Sequence, residues 1–422
     1  MGRRPALPRW RWRVLALGTL LVLSVYYLNY GAAFEEGEIQ GGSQLTLLMR
    51  AGAVAAIVVS LTPFRLNDNS VLLCVLMYLL SAVGLVLSSA LFGGLNDTLF
   101  VNTLLQLPVL VAVVGTRWEI DHARWLRFLC VVLTLQTVGD TVVWQAGASL
   151  WLSRAFVGGV GNPSSFGLLC VVGLAFCMFH PRASPWRWPT GAVLAFGAVM
   201  SKALLVVLAV ALVVGVWMML GWRRLLAGLA IVAVVAFAAP AQLTGMGEGE
   251  ETGFIEHKLK AVSALLGLVE YDVESSTSVS LRLEMHEETL AAIASAPQGL
   301  LWGHLEGLPY WPMDSQLLTY LGSFGAPMLA LFLALHFGWT ALAWRQRRRD
   351  GGFALLGLII FGFIFTTNRV LDYFPVATLY FMLVAAVLRP TALFSDQRTS
   401  SPGRSGRGTS QLSAQDQRPA AR

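Results

Sequence analysis

The sequence predicts an all-α polytopic membrane protein with about twelve transmembrane helices and one large, partly helical outer loop. Three observations carry that expectation. The chain of 422 residues is 56% hydrophobic and only 13% charged, with a mean hydropathy of +0.64, so it has too little polar surface to cover a soluble globule. Apolar runs long enough to cross roughly 30 Å of hydrocarbon as helix recur along it. The arginines fall in alternate loops, as the positive-inside bias of membrane proteins requires.

In order, the runs lie at about 14–30, 45–62, 71–92, 98–115, 124–146 and 164–180. Three more follow at about 187–201, 203–220 and 223–240, then 315–344, 353–367 and 373–389. The run 187–201, only about four turns long, opens on Pro185 and Pro189 and closes at Ser201-Lys202. Loop charge argues that it spans. With the Arg-rich N-terminus inside, the inner loops carry Arg65, Arg117, Arg124, Arg127, Arg182, Arg187, Arg223, Arg224, Arg345 and Arg347 to Arg349. Both termini are then cytoplasmic. The expected organisation is a cytoplasmic N-terminus (1–13), a first block of about nine spans (14–240) and an outer loop (241–314). A second block of about three spans (315–389) and a disordered cytoplasmic tail (390–422) complete it.

The loop 241–314 is strongly acidic, with Lys258, Lys260 and Arg282 as its only Lys or Arg residues, as expected of a translocated segment. Two helices are expected within it. Ile255, Leu259, Val262, Leu266 and Val269 recur at helical spacing. A second helix runs from about Ser280 to Ser295, with serines before it as N-caps and Pro297 and Gly299 beyond its end. It sets Arg282 and His286 one turn apart on one face.

The net charge of +6 does not point to nucleic acid, because topology accounts for where the arginines sit. Cys74, Cys130, Cys170 and Cys177 all fall in apolar runs, which leaves no disulfide framework and no CxxC spacing. They read as small core residues. No metal cluster or cofactor motif is visible, and no GxxxxGK[ST] supports an ATP-driven pump.

Six basic residues break the topology rule by falling on the outer side: Arg154, Lys202, Lys258, Lys260, Arg282 and Arg369. Lys202 and Arg369 sit at tight connections between apolar runs, where a cation is costly. Each has a bland explanation, such as Arg369 paired with Asp372, or Arg282 with Glu284 or Glu288. Their convergence from separate segments points instead to a phosphate-bearing ligand.

The order of these residues resembles a known family. Arg154, then Gly161-Asn162-Pro163 opening a span, then Ser201-Lys202, then Ser278-x-x-x-Arg282, then Pro297-x-Gly299 with Gly303, and a span carrying Gly322 and Gly325, is similar to the bacterial O-antigen ligase and polymerase superfamily. Two positions depart from it. Lys202 stands where the family usually has arginine, which keeps charge without a bidentate fork. Asp314-Ser315 stands where ligases of the family carry His-Asn, which favours a polymerase.

The resemblance implies glycosyl transfer at the periplasmic face of the inner membrane, without a cofactor. Undecaprenyl-pyrophosphate-linked glycans would be donor and acceptor, with a chain-length regulator and a flippase as candidate partners. Such a reaction needs cations for the departing pyrophosphate, an acceptor for the hydroxyl proton and a groove open to lipid. Arg282, Asp314 and His304 are the candidate catalytic residues, with His286 and Glu306 as further bases. Arg154, Asn162, Lys202, His286, Arg369 and Trp311 are the candidate binding residues. Asp314 reads equally as a helix N-cap. Trp302, Tyr310 and Trp311 read as sugar platforms or as an interfacial belt. Two rivals are a glycan ligase and a secondary transporter, the second disfavoured because no internal repeat is apparent.

Overall fold

The structure is a computed structural model. It describes residues 5–28, 44–64, 97–148, 150–151, 154–180, 185–221, 315–348, 352–371 and 373–388, together with scattered helical positions within 72–90 and 284–301. Helix dominates, and no strand occurs among the described residues. The bounded helices are α1 (Arg9–Ser24), α2 (Gln44–Leu61), α3 (Asp97–Gly115), α4 (His122–Gln145) and α5 (Pro163–Phe179). They continue as α6 (Arg187–Met200), α7 (Leu204–Met218), α8 (Gln316–Gln346), α9 (Phe353–Phe365) and α10 (Phe374–Leu388). A 3-10 turn, Val25–Leu28, extends α1.

Two of these helices, α4 and α8, are long and apolar enough to cross a membrane. Shorter apolar helices are α2, α5, α7, α9 and α10, with the Gln106–Gly115 part of α3. The 14-residue α6 falls in the expected span 187–201. Helix α8 breaks at Gly325, whose φ of 81° no helix accommodates, two residues before Pro327.

Helix α5 is the centre. Every residue from Ser165 to Met178 is buried, because α4, α6, α7, α9 and α10 all pack against it. A helix apolar around its whole circumference has to be enclosed in this way or by lipid. Helix α4 shows an inverted amphipathicity. Val131, Leu135, Val138 and Val142, at helical spacing, are exposed, while Gln136, Thr137 and Asp140 are buried.

The connections sort into two ends. At one, Arg117 N–H donates to Pro63 O, Leu7 N–H to Glu119 O and Trp118 Nε1–H to Thr62 O. Phe353 at the start of α9 lies against His180 at the end of α5. At the other end, Tyr26 N–H donates to Gly159 O, Phe156 N–H to Met200 O and Ser315 Oγ to Phe365 O. Arg117, Arg124, Arg187 and Arg347 therefore share the first end, while Arg154, Lys202 and Arg369 share the second. The expected loop 241–314 and tail 390–422 lie outside the described residues, apart from isolated helical positions in 284–301.

Candidate functional site

The second end is built around the segment Arg154 to Asn162. Its sequence, RAFVGGVGN, is permissive backbone with few side chains to place. Gly158 and Gly161 adopt φ of 51° and 86°. A Cβ on Gly161 would meet the Tyr26 ring at 2.5 Å, and one on Gly159 would meet Leu23 O at 2.2 Å. Only glycine lets the loop lie this close to the end of α1. Asn162 closes the segment as the N-cap of α5, its Oδ1 accepting from Ser165 N–H at 3.2 Å, with Pro163 at the first helical position. Its Nδ2 donates to Tyr373 Oη at 3.1 Å. The amide thus joins α5 to the start of α10, a structural duty beyond the binding role the sequence suggested.

Arg154 and Lys202 are the two non-glycine residues with positive φ among the described residues, at 54° and 53°. Such a conformation costs a residue with a Cβ about 1–2 kcal/mol and persists only where surroundings impose it. The Phe156-to-Met200 hydrogen bond at 2.9 Å brings the two residues together. Lys202 is only 7% exposed. Burial, and then the Arg154 guanidinium, pull its ammonium below the usual lysine range. Two cations are thus held near each other on strained backbone.

Arg369 sits half-buried on the turn between α9 and α10. The turn is pinned by Leu371, whose N–H donates to Gln316 Oε1 at 2.8 Å and whose carbonyl accepts from Gln106 Nε2. Asp372, its expected partner, lies outside the described residues. So do Arg282, His286, His304, Trp311 and Asp314. The N-cap reading of Asp314 is nevertheless corrected. Ser315 is the N-cap of α8, its Oγ accepting from Leu318 N–H and donating to Phe365 O. A hydroxyl at the position half in the helix fills the role, so Asp314 is the residue before the cap.

The sequence reading missed two groups. Arg50 lies in the second turn of α2, donating to Tyr26 Oη at 2.8 Å with its guanidinium over the same ring. An arginine inside an apolar run was the signal available for it. Asp140, inside the apolar run 124–146, is 5% exposed, and its Oδ2 accepts from Val157 and Gly158 N–H, both at 2.9 Å. Cys130, Cys170 and Cys177 are buried free thiols. No family model matches the chain, and no curated protein matches it either.

Proposed function

We propose that the chain is a multi-pass glycosyltransferase of the bacterial inner membrane. In this reading it polymerises undecaprenyl-pyrophosphate-linked oligosaccharide repeat units into O-antigen or exopolysaccharide at the periplasmic face. The observation that carries the reading is the Arg154–Lys202 pair, two like charges on strained backbone at the end of the bundle that also holds Arg369. Such a pair suits a pyrophosphate, whose charge it would stabilise as the group departs.

The exposed apolar face of α4 over a buried polar one supports a lipid surround. Helix α7 finishes at the Arg117 end and α8 begins at the Lys202 end, in keeping with one further span before the loop. The two-ended sorting of cations supports a cytoplasmic N-terminus. In the reaction the anomeric C–O bond to the pyrophosphate breaks as the hydroxyl of a second lipid-linked unit forms a new C–O bond. The cations take up the charge of the leaving group. The hydroxyl proton passes to a base, for which Asp314 stands first. It is one residue from Ser315 and two from Gln316, which are hydrogen-bonded to both ends of the Arg369 turn. Arg282 would add a planar guanidinium from the loop.

Analysis of lipid-linked glycans in a deletion strain tests the assignment. Accumulated single repeat units, cleared by the wild-type gene, are expected. Accumulated long chains would make the protein a ligase, and unchanged glycans would overturn the reading.

A further inference from the structure

Asp140 and Gln136 stand one turn apart on the inward face of α4, 5% and 6% exposed. Their polar atoms do not balance. Asp140 Oδ2 takes the Val157 and Gly158 N–H groups, but Oδ1 is buried without a hydrogen-bond partner. Gln136 Nε2 donates to Leu23 O at 2.9 Å, and its Oε1 is also buried without a partner. Turning the amide over would set Oε1 against a carbonyl that only accepts, so the orientation is fixed by Leu23. Both residues border Gly158. Asp140 holds its N–H, and Gln136 Oε1 lies 2.7 Å from where its Cβ would be.

An ionised Asp140 would leave two orphaned acceptors on residues one turn apart on the same helix face and a buried charge as well, each costly. Among the described residues, Tyr27, from the turn after α1, and Cys170, from α5, are two titratable groups whose own ionisation a charge on Asp140 would oppose. Neither brings a positive charge. One hydrogen resolves the imbalance, because a hydroxyl at Oδ1 donates to Oε1 while Oδ2 keeps its two N–H bonds.

We propose that Asp140 is a neutral acid, hydrogen-bonded to Gln136, and acts as the positioning residue of the Arg154–Lys202 pair. The Val157 and Gly158 N–H groups it holds directly follow Phe156, whose own N–H bond to Met200 sets Arg154 against Lys202. The positioning role rests on the reading of that pair as an anion site; the neutral acid does not.

Full-length protein in lipid nanodiscs provides two separate readouts. In infrared difference spectra, the wild type should show a protonated-carboxyl stretch that vanishes in Asp140→Asn and shifts in Gln136→Leu. A missing band overturns the neutral acid. The second readout is affinity for inorganic pyrophosphate. Asn copies the neutral acid, with an amide that donates to Gln136 and an oxygen that accepts from the loop, so Asp140→Asn should bind like the wild type. Asp140→Ala should bind about tenfold or more weakly, the scale of losing two buried hydrogen bonds. If the Ala variant does not accumulate, Asp140→Glu, which pushes the carboxyl one methylene into the loop, should show the weakening. Wild-type affinity in Asp140→Ala, or in Asp140→Glu if that variant replaces it, overturns positioning. A wild type that shows the band yet binds no pyrophosphate overturns the anion site and the positioning role together.

Discussion

The two ends of the bundle use their cations in opposite ways. At the first end, four arginines rest on indoles. Arg11 lies over Trp10 and Trp118, Arg124 over Trp12, Arg187 over Trp188 and Arg347 over Trp344, at 4.1–5.1 Å from the ring centroids. Arg11 also donates to Val59 O and Ser60 O, and Arg347 to Trp344 O, satisfying carbonyls at helix ends. At the second end, Arg154 and Lys202 adopt strained backbone beside each other. The difference separates cations held by ring and carbonyl contacts at helix ends from cations held on strained backbone beside a like charge, and the second kind is the better candidate for a site.

The comparison predicts its own largest effect. Lys202→Ala and Arg154→Ala should each lower glycan polymerisation by about 10²–10³, the usual loss for one transition-state donor, with membrane protein level unchanged. Polymer at wild-type level in both would erase the distinction between the ends. The pH profile sharpens it next. Because Lys202 sits below the ordinary lysine range, its charge should be lost early, and activity should fall on the alkaline side sooner than an unperturbed lysine would allow. Arg154→Gln removes the neighbouring charge, so in its residual activity that alkaline limb should move to higher pH.

Linkage gives the matching stability effect. Between its lowered folded value and its ordinary unfolded value, the unfolded chain holds more protons at Lys202, so stability should rise with pH across that window. A thermal melt series in wild type and Lys202→Met reads this directly; the rise should be absent in the variant. A smaller effect separates strain from chemistry. Lys202→Gly should melt higher, by about 1 kcal/mol of relieved backbone strain, while making no polymer. The smallest effects belong to the other end. Arg124→Ala and Arg11→Ala should cost about 0.5–1 kcal/mol each through lost cation–π contact and leave polymerisation within about twofold of wild type.

How far the sequence reached depends on which signals are local. Helix content was legible because every buried or lipid-facing turn has to be apolar, and α4 and α8 fall where their runs predicted. Asn162-Pro163 announced the start of α5 through residue types that suit a cap and a first turn. Lys202 and Arg369 stood out as breaches of charge topology. The positive φ of Arg154 and Lys202 had no counterpart in composition, since neither residue type favours it. The cap at Ser315 rather than Asp314 was a choice between adjacent, equally able residues, decided by the tertiary bond to Phe365. Asp140 was hidden for a related reason. Its partners are loop N–H groups, which any sequence supplies, and only the fold brings them to it.

The seam between α1 and the glycine loop also orders events in time. Leu23 and Tyr26 emerge early in synthesis, but the groups that take their backbone bonds, Gln136 and Gly159, belong to chain made later. At about 5–20 residues per second the ribosome leaves that end of α1 incomplete for several seconds. Helix α2, next in the chain and packed on α1 in the finished fold, is the companion available to it in the interval. The loop that carries Arg154 can settle only once α4 and α6 are both in place, because it bonds to Asp140 and Met200. The cation pair is therefore among the last features of this half of the chain to form, and a folding defect in any of four helices would be felt there first.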